Sequence, residues 1–83
     1  MNQNGRQDGT AIRRLREERG YRHVKAFAAR VGITPQALSN IELGNKPAGI
    51  DVLVTIARVL GVPVDKILKA DDEAPAEPKG VAA

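Results

Sequence analysis

Two carboxamides four residues apart, Gln36 and Asn40, are the side chains of this 83-residue chain best suited to reading a partner's surface. Each donates and accepts at once, the pattern that pairs bidentately with N6 and N7 of adenine, and Ala37 between them can touch a thymine methyl. A spacing of four puts both amides on one stripe of a helix, and Ser39 adds a hydroxyl beside Asn40. A helix that merely faces water usually carries Glu, Lys and Arg, whereas PQALSNIEL turns Gln36, Ala37, Ser39, Asn40 and Leu43 outward. Other chemistries lack their parts. There is no cysteine, hence no thiol nucleophile, disulfide framework or thiolate metal site. The single histidine, His23, has no partner group for catalysis or metal binding, and there is no glycine-rich phosphate loop. The carboxylates Glu17, Glu18, Glu42, Asp51 and Asp65 occupy helix-surface positions, so no enzyme activity, metal or cofactor is expected.

The elements that must hold Gln36 and Asn40 are well punctuated. Thr34 can cap a helix through its hydroxyl, and Pro35 suits the first helical position, where its missing N–H costs nothing. Leu38 and Ile41 then face inward and Gly44 ends the helix. Upstream, Val24 to Val31 reads as a second short helix that buries Phe27, Ala28 and Val31 and leaves Lys25 and Arg30 outside. Gly32-Ile33 joins the two. Ala28, four residues before Gly32, provides a small side chain where two helices cross, and Gly32 allows a left-handed turn. Ala28, Gly32, Leu38 and Ile41 therefore read as scaffold behind an outward polar surface.

The remaining segments follow the same logic. MNQNGRQDG, residues 1–9, has nothing to bury and reads as a flexible arm with Arg6 as its one cation. Thr10 is expected to cap a first helix that runs to about Arg19. Ile12 and Leu15 point inward on it, and Arg13, Arg14, Arg16, Glu17 and Glu18 form a wet face. Tyr21-Arg22-His23 links this helix to the next. Asn45 to Gly49 is a loop whose Lys46 is well placed for a phosphate. A fourth helix spans about Ile50 to Leu60 with Ile50, Leu53, Ile56, Ala57 and Leu60 as its inner stripe. Val52 and Val59 form a second apolar pair, either core periphery or a subunit contact. Val62-Pro63 opens a short fifth helix through about Leu68, with Ile67 and Leu68 packing back. After Ala70, DDEAPAEPKGVAA reads as an acidic, Pro/Ala-rich disordered tail. The expectation is an all-α, five-helix domain over residues 10–70, between an arm of residues 1–9 and a tail of residues 71–83.

Charge divides along the same boundaries. Residues 10–70 carry eleven Lys/Arg against five Asp/Glu, a balance of +6, whereas residues 71–83 carry −3. A basic folded unit suits a polyanionic partner. Hydrophobic residues make up 42% of the chain but only Tyr21 and Phe27 are aromatic, which implies a small aliphatic core. No apolar run approaches about 18 residues and the N-terminus is polar, so neither a membrane span nor a signal peptide is expected, and the cytoplasm is the default compartment. Nothing offers room for an effector domain, so no small-molecule ligand is expected.

Three stretches taken together, IRRLREERG, FAARVGITPQALSNIELG and LVTIARVLGVPVDKIL, resemble the phage-repressor-like helix–turn–helix family, the lambda- and 434-repressor and Cro type (XRE-like), over about residues 10–70. The resemblance implies that Gln36 and Asn40, with Ser39 and Ala37, read bases in the major groove of double-stranded DNA. It implies that Arg16 and Glu42 form a scaffold ion pair between helices one and three, with Arg16 also near phosphate. Thr34, Asn45 and Lys46 are assigned to the DNA backbone. Two positions depart from the family. Pro35 stands where a base-contacting side chain is common, and Val24 stands where Gln is frequent, after a connection one residue longer than usual. Phosphate contact at that end then falls to Arg22, His23 or Lys25, or to backbone N–H groups of helix two. The implied function is a sequence-specific transcriptional regulator, most simply a repressor, binding an inverted repeat as a homodimer. The alternative is a protein-interaction module on the same fold, an antitoxin or adaptor, engaging a protein partner through Val52, Val59, Val62 and Val64 together with the tail.

Overall fold

Gly20, Gly32, Gly44 and Gly61 all have φ between 76° and 93°, and each closes a helix or the turn after one. The computed structural model describes residues 7–69. Four α-helices follow one another: α1 (Gly9–Glu18), α2 (Val24–Val31), α3 (Pro35–Leu43) and α4 (Ile50–Leu60), and the chain then makes one 3₁₀ turn at Val64–Ile67. The all-α expectation holds, with no β-strand among the described residues, but the fifth helix is corrected to that single turn. Its four residues, entered through Pro63, close with the Lys66 N–H on the Pro63 carbonyl at 3.0 Å, the tighter i→i+3 pattern that short helical segments adopt. Within the described residues, no helix is long and apolar enough to cross a membrane.

The core is aliphatic around a single phenyl ring. Ile12, Phe27, Ala28, Leu38, Ile41, Leu53, Ile56, Ala57, Leu60 and Ile67 are buried together, so every helical element contributes. The Tyr21 ring packs on Phe27 with centroids 5.1 Å apart at 58°, a tilted arrangement that favours the ring quadrupoles. Val31 is half-buried rather than buried, at the rim of this cluster. Ile50, expected on the inner stripe of α4, is 66% exposed. It is the first residue of that helix, at the edge of the stripe defined by Leu53, Ile56 and Leu60, where the helix runs past the core. Val52 and Val59 are half-buried against the core, as are Val62 and Val64. They are core periphery, and the valines invoked for a protein partner are largely occupied within the fold.

The folded unit starts earlier than Thr10. Asp8 is the N-cap of α1, its carboxylate accepting from the Ala11 N–H at 3.1 Å. Asp is as good a cap as Thr, and it lies one residue ahead of a glycine that can begin the helix. Gln7 forms an antiparallel bridge with Leu68, and the Asp8 N–H donates to the Ile67 carbonyl at 2.7 Å. Residues 7–9 therefore belong to the domain and not to an arm; the expectation for the rest of the arm and for the tail of residues 71–83 lies outside the described residues. At Gly9 an added Cβ would overlap the Glu42 carbonyl, so the start of α1 lies directly on the end of α3. At the other end of α1, Arg19 Nε donates to the Leu60 carbonyl at 2.8 Å and satisfies an otherwise open C-terminal acceptor of α4.

Candidate nucleic-acid interface

α3 is held from one side. It packs chiefly on α1 and α2, through Leu38 (fully buried) and Ile41 (6% exposed), which leaves its opposite stripe to solvent. Its start is fixed as expected: the Ala37 N–H donates to Thr34 Oγ1 at 3.0 Å, and Pro35 occupies the first turn. The turn from α2 is equally well defined. Gly32 adopts φ 92°, and the N–H groups of Gly32 and Ile33 both reach the Ala28 carbonyl, at 2.8 and 3.0 Å. Gly44 ends α3, with the Asn45 N–H on the Asn40 carbonyl at 2.9 Å.

Arg16 is the main correction among the site residues. It is not on a wet face: its side chain is 4% exposed, and that of Glu42 6%. Nε and Nη2 donate to the two carboxylate oxygens at 2.7 and 3.1 Å, a fork-to-fork pair, while Nη1 donates to the Tyr21 carbonyl at 2.7 Å. A guanidinium so committed has little left for a phosphate; it joins α1, the α1–α2 connection and α3. The helical period already carried this signal, because Arg16 lies four residues after Ile12 and Glu42 four after Leu38, both on inward stripes.

The outward residues fall on two sides of α3. Gln36, Ala37 and Asn40 share a shallow cleft with Thr34, Lys46 and Pro47, so the loop after α3 brings Lys46 beside the two amides. Ser39 and Leu43 open instead onto a second cleft, walled by Thr10 and Arg13 of α1 and by Arg22 and Val24 at the start of α2. Gln36 is exposed, Ala37, Ser39 and Asn40 are half-buried, and Leu43 is 69% exposed. Arg22, His23 and Lys25 are exposed around the N-terminus of α2; His23 is its N-cap residue but makes no side-chain capping bond, so the first N–H groups keep their outward positive dipole end. Asn45 is exposed and lines neither cleft. Arg13 has Glu17 one turn on at 3.5 Å, a solvated pair worth at most about 0.5 kcal/mol. Among the described residues, no group of three His, Cys, Asp or Glu side chains is placed to hold a metal ion.

Two short helices locked at a glycine turn, the second supported from behind and presenting neutral hydrogen-bonding side chains with cations on both flanks, define a helix–turn–helix protein. The helix-turn-helix family model matches residues 12–67, two thirds of the chain and the whole of α2 through α4, and the chain belongs to that family, the XRE type of DNA-binding regulatory domain. No match was found among curated proteins, nor among solved structures.

Sequence reasoning missed the role of Gln7. It is 2% exposed, with Nε2 donating to the Lys46 carbonyl at 2.8 Å and to the Ile41 carbonyl at 3.4 Å, while Oε1 accepts from the Ala48 N–H at 3.4 Å. A polar residue within a polar, glycine-bearing stretch carries no periodic signal of burial, and its partners lie 34 to 41 positions away.

Proposed function

We propose that this protein is a sequence-specific transcriptional regulator, most simply a repressor, that inserts α3 into the major groove and binds an inverted-repeat operator as a homodimer in the cytoplasm. The observation that carries the reading is the outer stripe of α3, where Gln36 and Asn40 stand uncharged and accessible with Lys46 beside them. Neutral amides can satisfy base edges in either donor or acceptor sense, and the flanking cation supplies attraction to the backbone without sequence preference. Ala37 contributes a methyl contact on the same side and Ser39 a hydroxyl on the other. Thr34, Asn45 and Lys46 meet phosphates at one edge, and Arg22, His23, Lys25 and the open N–H groups of α2 meet them at the other. Arg16 holds α3 in place and does not touch DNA. Two copies would address half-sites about 34 Å apart, one helical turn. Repression then follows from occupying a site that polymerase needs.

Binding-site selection from a random duplex pool, repeated with Gln36→Ala and Asn40→Ala, tests this reading. Each substitution is expected to relax preference at its own base position and to weaken the selected site by about 1–3 kcal/mol. If both variants recover the parental site with parental affinity, α3 does not read bases through these amides.

A further inference from the structure

The α3–α4 connection, residues 44–49, has no regular structure, yet it carries Lys46 to the cleft that holds Gln36 and Asn40. What fixes it comes from the opposite end of the chain. The Gln7 amide spans the loop, binding the Lys46 carbonyl and the Ala48 N–H as well as the Ile41 carbonyl in the last turn of α3. Both Nε2 protons and the carbonyl oxygen are used, so the buried amide is satisfied and replaces backbone pairing that the loop lacks. Gln7 is itself anchored, by the bridge to Leu68, by the Asp8 N–H on the Ile67 carbonyl, and by the close seat of Gly9 on Glu42.

We infer that Gln7 is a positioning residue of the DNA interface, setting the stance of the 44–49 loop so that Lys46 meets a phosphate while α3 reads bases. The inference rests on the function proposed above and adds a division of labour to it. Gln7 governs affinity for the backbone, through Lys46, and leaves base choice to α3. A buried side chain that touches no DNA thereby controls a contact made at the surface.

The test uses the full-length protein and the duplex recovered by site selection, with binding measured over a range of salt. Lys46→Ala is expected to flatten the dependence of log K on log salt by about 0.9, the increment for one phosphate contact. Gln7→Met, close in size but unable to make the three hydrogen bonds, is expected to flatten it by a similar amount while recovering the same selected sequence. The double variant should be no flatter than Lys46→Ala alone, because the two residues act through one contact. A purely structural Gln7 would lower thermal stability and leave the slope of the folded protein at its parental value, and that result overturns the inference; so does a double variant in which the two increments add. Should Gln7→Met not fold, Gln7→Asn, one methylene shorter, carries the same readout. Backbone order in the parental protein supplies an independent check. The amides of Asn45, Lys46 and Ala48 should be as rigid as those of α3, with order parameters near 0.85, and values under about 0.6 would mean that nothing holds the loop. Failure of the parental protein to bind any selected duplex counts against the proposed function itself, whereas binding with a Lys46-dependent and Gln7-independent slope counts against this inference alone.

Discussion

The inner and outer faces of α3 solve opposite problems with residues only one or two positions apart. Inward, Leu38 and Ile41 are sealed against α1 and α2, and Glu42 is locked by Nε and Nη2 of the buried Arg16. Outward, Gln36 and Asn40 share an open cleft and Leu43 is left in water. The inner face trades freedom for a fixed helix axis; among the described residues, the Gln36 and Asn40 amides of the outer face stay uncommitted. A reading helix requires both, because a bidentate base contact tolerates little misalignment, and unpaired amides on an unsupported helix would meet no base edge at a fixed distance.

That contrast can be broken from either side, and effects on stability should grade from inner face to outer. Glu42→Ala leaves the Arg16 guanidinium buried without its counter-charge and is expected to cost about 3–5 kcal/mol in urea unfolding. The double change Arg16→Met with Glu42→Leu should recover much of that loss if burial of the charge is the cause. Gly9→Ala forces a methyl against the Glu42 carbonyl and should cost about 1–3 kcal/mol, as other overpacked contacts do. Thr34→Ala removes the cap on Ala37 and should cost about 1 kcal/mol in the free protein, which separates its structural role from any phosphate contact. At the far end of the scale, Gln36→Ala and Asn40→Ala should stay within about 0.5 kcal/mol of parental stability while losing base preference. A large stability loss at Asn40 would erase the distinction between the two faces.

Most of the two-helix unit was legible because its sequence is dense in local signals. Gly32, Thr34-Pro35 and Gly44 each specify a backbone conformation within a few residues, and the end of α2 and both bounds of α3 follow from them, as the end of α4 follows from Gly61. Ion pairing of Arg16 with Glu42 was implied by family resemblance, but the depth of its burial was not, since charged side chains on a helix are counted as wet unless their stripe is checked against the core. Ile50 erred in the other direction: an apolar residue at the right period is still exposed when the helix begins there. Residues 7–9 were opaque for a different reason. Their role comes from partners on α3, the following loop and the 3₁₀ turn, and no local pattern encodes a contact made across most of the chain. At the candidate interface the neutral outer stripe of α3 was visible in residue type and spacing, whereas the separation of Ser39 from Gln36 and Asn40 into two clefts came from how α1 and α2 flank it.

The pairing of Gln7 with Leu68 has a topological consequence. Residues joined across an antiparallel bridge lie about 5 Å apart, so the described domain is very nearly a closed ring. A short linker between those ends, with the chain reopened at the exposed Gly20, would yield a circular permutant that keeps every helix-to-helix contact in place. The same closure means that any module fused to either terminus of the ring departs from one spot, next to Lys69, Leu43 and Gly44 at the end of α3. Groups attached at Gln7 and at Lys69 would leave the described domain as neighbours.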